Sequence, residues 1–453
     1  MSNFILKTLE TRELKLNTIR LRGFYGGKLR KGSGGGGSGD GFPQLPGDVT
    51  RWHFGGLTNE MMAAMDDPRI EDADHKGRFL SFKNFAWKEG SGISDIYPGA
   101  LVFDGVDDYG VCENFPILTK EKGYTVVALR QWDQDFLNTT LTGGLLSTRN
   151  YSTGEGVAFE KIESSNKGYW NLGAGGIIDF AKSPFTWQTS KQYNNVGILK
   201  GDKNHGKPLC VGSGLSGGQQ CGRFAIWELV FLDHDATEEE LTKIKDYFVK
   251  TYPWLFPDQA WTVVGKTNED EDRATIANIT GNGNDLILSN FGFAEGSGYN
   301  EEGEYAGYLV TDGVDDKITS STFEMGNDWT VIGDWELINT GKKDNAGIVK
   351  FDSIVIYNYN PILINIKNGR NNLIPDQNTV NAICSDGRIY SKDWKESIYN
   401  EETESTSKNL LTIGYSGNSY TKIAFKNLAI YPTVLSKEDC IKAYNYLQTL
   451  KAK

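Results

Sequence analysis

Two short aspartate runs are the residues whose types and spacing could hold a metal ion. Each run has the order Asp-Gly-Val-Asp-Asp, and the six carboxylates belong to Asp104, Asp107, Asp108, Asp312, Asp315 and Asp316. Clustered carboxylates in a tight turn can bind Ca²⁺ together with backbone carbonyls. Asp-Gly also makes a hairpin turn without an ion, because Gly supplies positive φ and Asp bonds its own backbone. Turn chemistry favours the metal-free interpretation, so we predict no required cofactor and keep Ca²⁺ as the alternative.

Five tryptophans could stack on sugars, since an aromatic ring packs against the apolar face of a pyranose. Loops at the edge of a β-sandwich commonly carry function, which makes aromatic residues there candidates for glycan binding. The candidates are Trp132, Trp170, Trp187, Trp335 and Trp394. Large aromatics also fill sandwich cores, so core packing is the competing interpretation for each of them.

Other reactive side chains lack the spacing that a site requires. The histidines have no metal-ligand spacing, which argues against zinc and against histidine-based catalysis. They are His53, His75, His205 and His234. The Gly-rich run 212–222 lacks the Lys-Ser/Thr of a phosphate loop and predicts a long turn. Five cysteines without C-x-x-C spacing fit a reducing compartment, with a Cys210–Cys221 disulfide as the alternative.

Composition narrows the class of protein. The 453 residues carry a net charge of −12, which argues against nucleic acid as a partner because phosphate binding needs a positive surface. Abundant Gly and aromatic residues, with few helix-forming stretches, favour an all-β fold with a few short helices. The sequence contains no run of 18 apolar residues, so no membrane span is predicted. The N-terminus lacks the apolar core of a secretory signal.

The N-terminal region separates into an arm and a tether. Residues 1–31 carry eight basic and two acidic side chains, hence a local charge of +6 within the total of −12. Alternating leucines and isoleucines predict an extended arm that docks on another subunit, with a frayed terminus as the alternative. Residues 32–50 begin with a Gly- and Ser-rich run that predicts a flexible tether.

After the tether the sequence repeats itself, at separations of 205 to 209 positions. The matched segments, first copy against second, are 52–59 and 261–268, 84–92 and 290–298, 101–108 and 309–316, and 124–126 and 329–331. Ordered matches of this kind indicate duplication of one structural unit. We therefore predict two modules, the first copy over residues 51–258 and the second copy over residues 259–453.

Each copy closes with the same pattern. Apolar strands are predicted at 224–232 and 423–431, and each is followed by a helix-capping sequence. Thr237 begins a capping box with Glu240, and Ser436 stands at the matching place before a second amphipathic run. Pro253 should end the first helix. Each copy should therefore end in strand, turn and short helix.

Three features resemble the concanavalin A-like lectin/glucanase superfamily. They are an Asp-Gly turn after one strand, many alternating strands, and a last strand leading into a capped helix. The resemblance is to its laminin-G-like jelly rolls and covers residues 51–453. It implies two tandem jelly-roll sandwiches, each closing with a short α-helix and preceded by the basic arm and Gly-rich tether. The layout is also similar to virion fibre and decoration proteins of crAss-like phages that infect gut bacteria.

Glycoside hydrolases of this superfamily carry an E-x-D-x-x-E run, in which one carboxylate donates a proton and another attacks or activates water. Neither copy contains it; Glu160, Glu163 and Glu228 have other spacings. We therefore expect a protein that is not an enzyme. The expected function is that of a virion structural or adhesion protein, made in the host cytoplasm, with two lectin-like modules.

Its expected partners are other virion subunits through residues 1–31, a host-surface glycan and, by analogy with phage fibres, two further copies in a homotrimer. A glycan-binding protein outside a virion is the first alternative. A glycoside hydrolase is the second.

Overall fold

The computed structural model describes residues 40–117, 122–148, 158–161, 167–170, 178–179, 185–189, 208–215, 218–338, 347–351, 354–357, 362–366, 370–374, 380–398, 409–416 and 419–452. The chain divides into two compact units, Met1–Gln44 and Leu45–Lys453. Residues 1–39, which contain the arm, lie outside the described residues. Strands account for 41% of the residues and helices for 13%, which confirms the predicted all-β class.

Short strands separated by Gly- and Asp-rich turns dominate the first copy. In order they are β1 Val49–His53, β2 Arg69–Glu71, β3 Phe79–Lys83, β4 Gly92–Ile93, β5 Leu101–Asp104, β6 Tyr109–Cys112, β7 Thr125–Trp132, β8 Gly143–Ser147, β9 Ala158–Lys161, β10 Lys167–Trp170, β11 Ile178–Asp179, β12 Phe185–Thr189, β13 Leu209–Val211, β14 Ser213–Leu215, β15 Gln219–Cys221 and β16 Arg223–Leu232. The predicted long turn at 212–222 is wrong, because β14 and β15 pair there as a hairpin.

The second copy has the same character. Its strands are β17 Gln259–Thr262, β18 Thr275–Ile276, β19 Leu286–Ser289, β20 Gly298–Asn300, β21 Tyr308–Val310, β22 Lys317–Phe323, β23 Thr330–Leu337, β24 Gly347–Phe351, β25 Ile354–Tyr357, β26 Ile362–Ile366, β27 Arg370–Ile374, β28 Val380–Cys384, β29 Arg388–Ser391, β30 Glu396–Ile398, β31 Asn409–Ile413, β32 Tyr415–Ser416, β33 Ser419–Tyr420 and β34 Ile423–Tyr431.

Four α-helices and one 3₁₀ turn are described. They are α1 Asn59–Ala63, α2 Gln134–Leu137, α3 Glu238–Thr251, the 3₁₀ turn Pro253–Leu255 and α4 Lys437–Gln448. None of the helices in the described part of the chain has the length and apolar character needed to cross a membrane.

Each copy builds two large sheets, and its last long strand lies centrally in one of them. In the first copy, one sheet has the order β12-β7-β16-β5-β4 with β1 paired to β16, and the other runs β11-β10-β9-β8-β13-β6-β3-β2. In the second copy, β20-β21-β34-β23-β28-β29-β30 with β17 paired to β34 accompanies β18-β19-β22-β31-β24-β25-β26-β27. Strands β16 and β34 thus hold matching central places. The division into modules at residues 258 and 259 stays a prediction.

Matched tryptophans anchor the two cores. Trp52 and Trp261 are both fully buried. The indole N–H of Trp52 donates to the carbonyl of Arg78 at 3.1 Å, and that of Trp261 donates to the carbonyl of Asn284 at 2.9 Å. A buried indole needs such a partner, and each copy supplies one from its own loop.

The predicted closing helices are confirmed. Thr237 and Glu240 form the reciprocal capping box of α3, and the Ser436 hydroxyl caps α4 by accepting from the Asp439 amide at 3.1 Å. Helix α3 ends at Thr251, two residues before Pro253, which has no amide hydrogen to continue the ladder and begins the 3₁₀ turn. These caps fix the residue at which each helix begins.

Candidate functional site

The first aspartate turn uses its carboxylates to satisfy its own backbone. Oδ1 of Asp104 accepts hydrogen bonds from the amides of Val106, Asp107 and Asp108 at 2.8, 3.3 and 3.4 Å. Oδ2 of Asp108 in turn accepts from the Asp104 amide at 3.0 Å. Four backbone donors at the turn are thereby paired without an ion.

Asp108 is buried and tied to a neighbouring loop. Its Oδ1 accepts from the Ser91 hydroxyl at 3.1 Å. Burial raises the pKa of Asp108 to about 7; the Ser91 hydrogen bond lowers it, and the nearby Asp104 carboxylate raises it further. Asp108 therefore binds a proton in the folded protein at pH values where it would be ionised in the unfolded chain.

The second aspartate turn repeats this arrangement. The Ser297 hydroxyl donates to Oδ1 of Asp316 at 3.0 Å, and the Asp312 amide donates to its Oδ2 at 2.7 Å. Burial raises the pKa of Asp316 to about 6. In both copies an asparagine with positive φ, Asn84 or Asn290, donates to a carbonyl of the turn at 3.0 Å.

Carboxylate oxygens of each aspartate run lie within 4.8 Å of one another. An ion there would compete with the turn's own amide donors for Oδ1 of Asp104 and of Asp312. A structural role accounts for the contacts that these six carboxylates make, and the metal-free interpretation remains the prediction to be tested.

Burial removes two of the five tryptophan candidates. Trp132 is fully buried and stacks on Phe136 with ring centroids 5.8 Å apart, and Trp335 is 3% exposed in the core of the second copy. Both therefore fill sandwich cores, and their proposed role in sugar stacking is wrong in this structure. Trp170 and Trp187 lie on β10 and β12, but their side chains fall outside the described residues.

Trp394 is partly exposed, and it lies beside further aromatic side chains. It occupies a turn with φ of 57° between β29 and β30 and packs edge-on against Tyr444 of α4, with centroids 5.7 Å apart. Tyr305 and Tyr308 form a second edge-on pair at 6.4 Å. We call Tyr305, Tyr308, Tyr444 and Trp394 the aromatic row.

The Asp334 carboxylate joins the two pairs of the aromatic row. The Tyr308 hydroxyl donates to its Oδ1 at 3.1 Å, and the Tyr444 hydroxyl also hydrogen-bonds to this carboxylate. Burial, followed by the negative charge of Asp334, raises the pKa of both tyrosines. Lys426 lies 3.9 Å from the other carboxylate oxygen and 5.6 Å from the centre of the Tyr308 ring.

The aromatic row combines the groups that bind polyhydroxylated ligands. Partly exposed rings can cover apolar C–H faces, the carboxylate accepts from hydroxyls, and the ammonium donates to oxygens. Sequence reasoning that weighed only tryptophans found Trp394 and missed the three tyrosines and Asp334. The available signal was a difference between the copies. Leu129 of β7 pairs with Glu228, whereas Asp334 of β23 pairs with Asn427, the residue that matches Glu228. A carboxylate therefore stands on β23 where β7 has an apolar side chain.

A cleft of about 320 Å³ opens between the two copies. Polar groups from Gln131, Lys245, Asp258 and Asn282 line it together with an apolar wall from the connecting segment. Tyr446 also lines it, and its hydroxyl donates to the Gln131 side chain at 3.2 Å. Clefts of this size at junctions can accept small ligands, and of the two aromatic side chains in this lining Phe256 is partly exposed and Tyr446 is buried.

Another polar cluster is buried beneath α3. Arg51 donates to Oε2 of Glu228 at 3.0 Å, while the hydroxyls of Tyr247 and Tyr252 donate to Oε1 at 3.1 and 2.9 Å. Nδ1 of His53 lies 3.0 Å from the same oxygen. Arg51 and Glu228 are almost completely buried, so the cluster satisfies a buried charge and holds α3 on the sheet.

Comparison with known proteins gives distant structural matches. No protein-family profile and no curated protein matches the sequence. Trypanosoma rangeli sialidase aligns with 84% of this chain and 68% of its own, at 8% identity and a TM-score of 0.31. The receptor-binding domain of botulinum neurotoxin type G aligns with 42% of this chain and 50% of its own, at 14% identity and a TM-score of 0.26. An arabinofuranosidase complexed with arabinofuranosyl-alpha-1,2-xylobiose aligns with 40% and 52%, at 12% identity and 0.25.

The expectation that this chain is not an enzyme is wrong as a conclusion, because the solved structures it is similar to include a sialidase and an arabinofuranosidase. Its premise was the missing E-x-D-x-x-E run, which excludes a single catalytic arrangement. At these scores the matches transfer no activity and no ligand to this chain.

Proposed function

We propose that this protein binds carbohydrate through the aromatic row and Asp334 of the second copy. The observation that carries the proposal is the linkage of four partly exposed aromatic side chains through one carboxylate. Asp334 holds the tyrosines by their hydroxyls, which orients the rings before a ligand arrives. Preorganised rings lose little conformational entropy on binding.

A glycan array probed with the full chain tests this proposal. Trp394→Ala should weaken binding of any retained glycan about tenfold or more, equivalent to about 1.4 kcal/mol. Asp334→Asn should also weaken it, since the amide replaces an acceptor that hydrogen-bonds to two tyrosines. Phe79→Ala is the matched control, because Phe79 is an exposed aromatic of the first copy with 37% exposure.

Array binding that is unchanged in Trp394→Ala and lost in Phe79→Ala would contradict the proposal, as would the absence of any bound glycan. Incubating the retained glycan with the protein and measuring released reducing sugar would show whether hydrolysis accompanies binding.

We also propose that the chain is a component of a virion, in which tandem concanavalin A-like, laminin-G-like modules of the crAss-like phage type are presented by the N-terminal arm. The +6 charge of residues 1–31 supports this, because the remaining chain carries −18 and an acidic neighbour would attract the arm. The division of the chain at Gln44 and Leu45 also supports a separable attachment element.

Deleting residues 1–42 should leave a folded, soluble protein that no longer associates with the particle. Mass spectrometry of purified particles measures incorporation, and normal incorporation of the truncated chain would contradict the role of the arm. Light scattering on the full chain tests the proposed homotrimer; a monomer at micromolar concentration would remove that part of the proposal.

A further inference from the structure

The two edge-on pairs of the aromatic row lie far apart on one sheet. We call Tyr305 with Tyr308 the tyrosine pair and Trp394 with Tyr444 the tryptophan pair. Tyr308 begins β21, whereas Trp394 lies in the turn between β29 and β30. Strands β34, β23 and β28 lie between β21 and β29. Because neighbouring strands are about 4.8 Å apart, β21 and β29 are separated by about 19 Å across the sheet.

Each pair offers one place for a sugar to stack. The rings of the tyrosine pair have an interplanar angle of 80° and centroids 6.4 Å apart, and those of the tryptophan pair have an angle of 82° and centroids 5.7 Å apart. A flat ligand face can lie on one of two perpendicular rings but not on both at once. A sugar ring is similar in size to an aromatic ring, so a single sugar on one pair does not reach the other.

Polar groups occupy the space between the pairs. Asp334 of β23 accepts from the Tyr308 hydroxyl at 3.1 Å, and its other oxygen lies 3.9 Å from the ammonium of Lys426 on β34, beyond hydrogen-bond distance. Lys426 donates to Oε1 of Gln448 at 2.8 Å. The Asp334 and Lys426 side chains are 14% and 25% exposed. A carboxylate has several acceptor sites and an ammonium has three donors, so both groups can also bind sugar hydroxyls.

The first copy has a small apolar residue where the second has a tyrosine. Leu101 of β5 and Leu309 of β21 pair with matching positions of β16 and β34, so Ala100 stands at the place of Tyr308. Ala100 is fully buried. The backbone arrangement therefore does not require an aromatic ring at this position, and Tyr308→Ala, which introduces the residue of the first copy, should fold.

Given the carbohydrate binding proposed above, on which this step rests, we propose that the ligand is a linear oligosaccharide that lies across the strands. It has at least three sugars, one on each pair and one at Asp334 and Lys426. Helix α4 packs against β23 and β34, which places Tyr444 so that the tryptophan pair extends towards this polar middle. A single terminal sugar would use one pair, whereas a linear chain uses both pairs and the charged groups between them.

Titration calorimetry of the full chain tests the length of the ligand. The probes are fractions of one to six sugars, released by partial acid hydrolysis from the glycan that the array retains. The fraction of four sugars should bind at least about tenfold more tightly than the single sugar, since it gains a second stacking position. Fractions longer than the span between the pairs should gain little further affinity.

Variants of the two pairs separate a linear ligand from a terminal sugar. Trp394→Ala and Tyr308→Ala should each reduce the affinity for the four-sugar fraction about tenfold, because each removes one end of the span. Phe79→Ala should leave this affinity unchanged. Tyr305→Ala removes the other ring of the tyrosine pair and is the second variant should circular dichroism show that Tyr308→Ala is unfolded.

Equal affinity for the single-sugar and four-sugar fractions would overturn the linear ligand while leaving carbohydrate binding in place. Unchanged affinity for the four-sugar fraction in Trp394→Ala, or in both tyrosine variants, would overturn it as well. An array that retains no glycan would instead contradict the proposed function, and the linear ligand with it.

Discussion

The two copies place different chemistry on the same face of their sheets. In the first copy, Trp227 and Leu129 present an apolar surface that is fully buried, and Tyr446 of α4 packs edge-on against Trp227 at 6.2 Å. In the second copy, Lys426 and Asp334 hold the matching positions and remain partly exposed. The face of the first copy is therefore covered by a contact within the chain, and the face of the second copy is available to a ligand.

A second difference lies beneath the closing helices. Glu228 under α3 has an arginine, two tyrosines and a histidine as partners, whereas the side-chain amide of Asn427 at the matching position has no hydrogen-bond partner among the described residues. Arg51 is replaced there by Ala260. The matching strands thus have the same backbone pairing although their buried polar groups differ, which indicates that strand register depends on the apolar positions rather than on this ion pair.

Breaking the ion pair of the first copy should have the largest effect on stability. Glu228→Gln leaves the Arg51 guanidinium buried without its counter-charge, and we expect a loss of about 3–5 kcal/mol in the free energy of unfolding. Urea unfolding followed by circular dichroism measures it. The double variant Arg51→Met, Glu228→Leu should lose less than Glu228→Gln, because no unpaired charge remains; an equal or larger loss would contradict the account of this cluster.

The buried aspartates should give the two copies different pH dependences. The pKa of Asp108 is raised from 3.8 to about 7 by burial, so its folded form retains a proton that the unfolded chain releases. The stabilising contribution of this proton is complete below about pH 4 and is lost as pH rises through about 7. For Asp316, whose pKa is about 6, the loss should be complete at lower pH.

Comparison of the wild type with Asp108→Asn isolates this effect from that of other carboxylates. Between pH 5 and pH 7.5 the wild type should lose about 2 kcal/mol more than the variant. Asp316→Asn should show about half that difference over the same range. Parallel stability curves for the wild type and Asp108→Asn would show that Asp108 ionises normally in the folded protein.

Replacing the side-chain amide of Asn427 should change the free energy of unfolding by a smaller amount and in the opposite direction. Asn427→Leu removes a buried polar group and keeps a similar volume, so we expect a gain of about 1 kcal/mol. Thermal unfolding of this variant beside Glu228→Gln makes the comparison direct. A loss as large as that of Glu228→Gln would show that Asn427 has a partner equivalent to the ion pair.

Metal removal should have the smallest effect of all. Because the turn amides satisfy Asp104 and Asp312, a chelator should leave the melting temperature unchanged within about 2 °C. A clear rise on adding Ca²⁺ would instead support a metal site at these turns.

Sequence reasoning predicted the features that depend on local chemistry. The capping box at Thr237 and the strand at 423–431 are found as predicted, because a cap and an apolar alternation act within a few residues. The Asp-Gly turns recur with matching hydrogen bonds for the same reason. Repetition of these segments placed them in equivalent positions of the two copies without knowledge of the sheets.

The binding face was only partly predictable. Trp132 and Trp335 could not be separated from Trp394 by residue type, since their burial depends on strand facing and on a β-bulge beside Asp334 and Trp335. Tyr308, Asp334 and Tyr444 come from two strands and a helix that are distant in sequence. Only the fold brings them together.

Under the proposed function, the second copy presents the exposed carbohydrate-binding face. Hydrogen exchange of the full chain with and without a glycan retained on the array measures this most directly. We expect ligand-dependent protection at residues 304–310, 391–398 and 440–448, with no change at 69–83 of the first copy. Protection confined to 255–258 and 279–282, at the junction cleft, or to the first copy would contradict it.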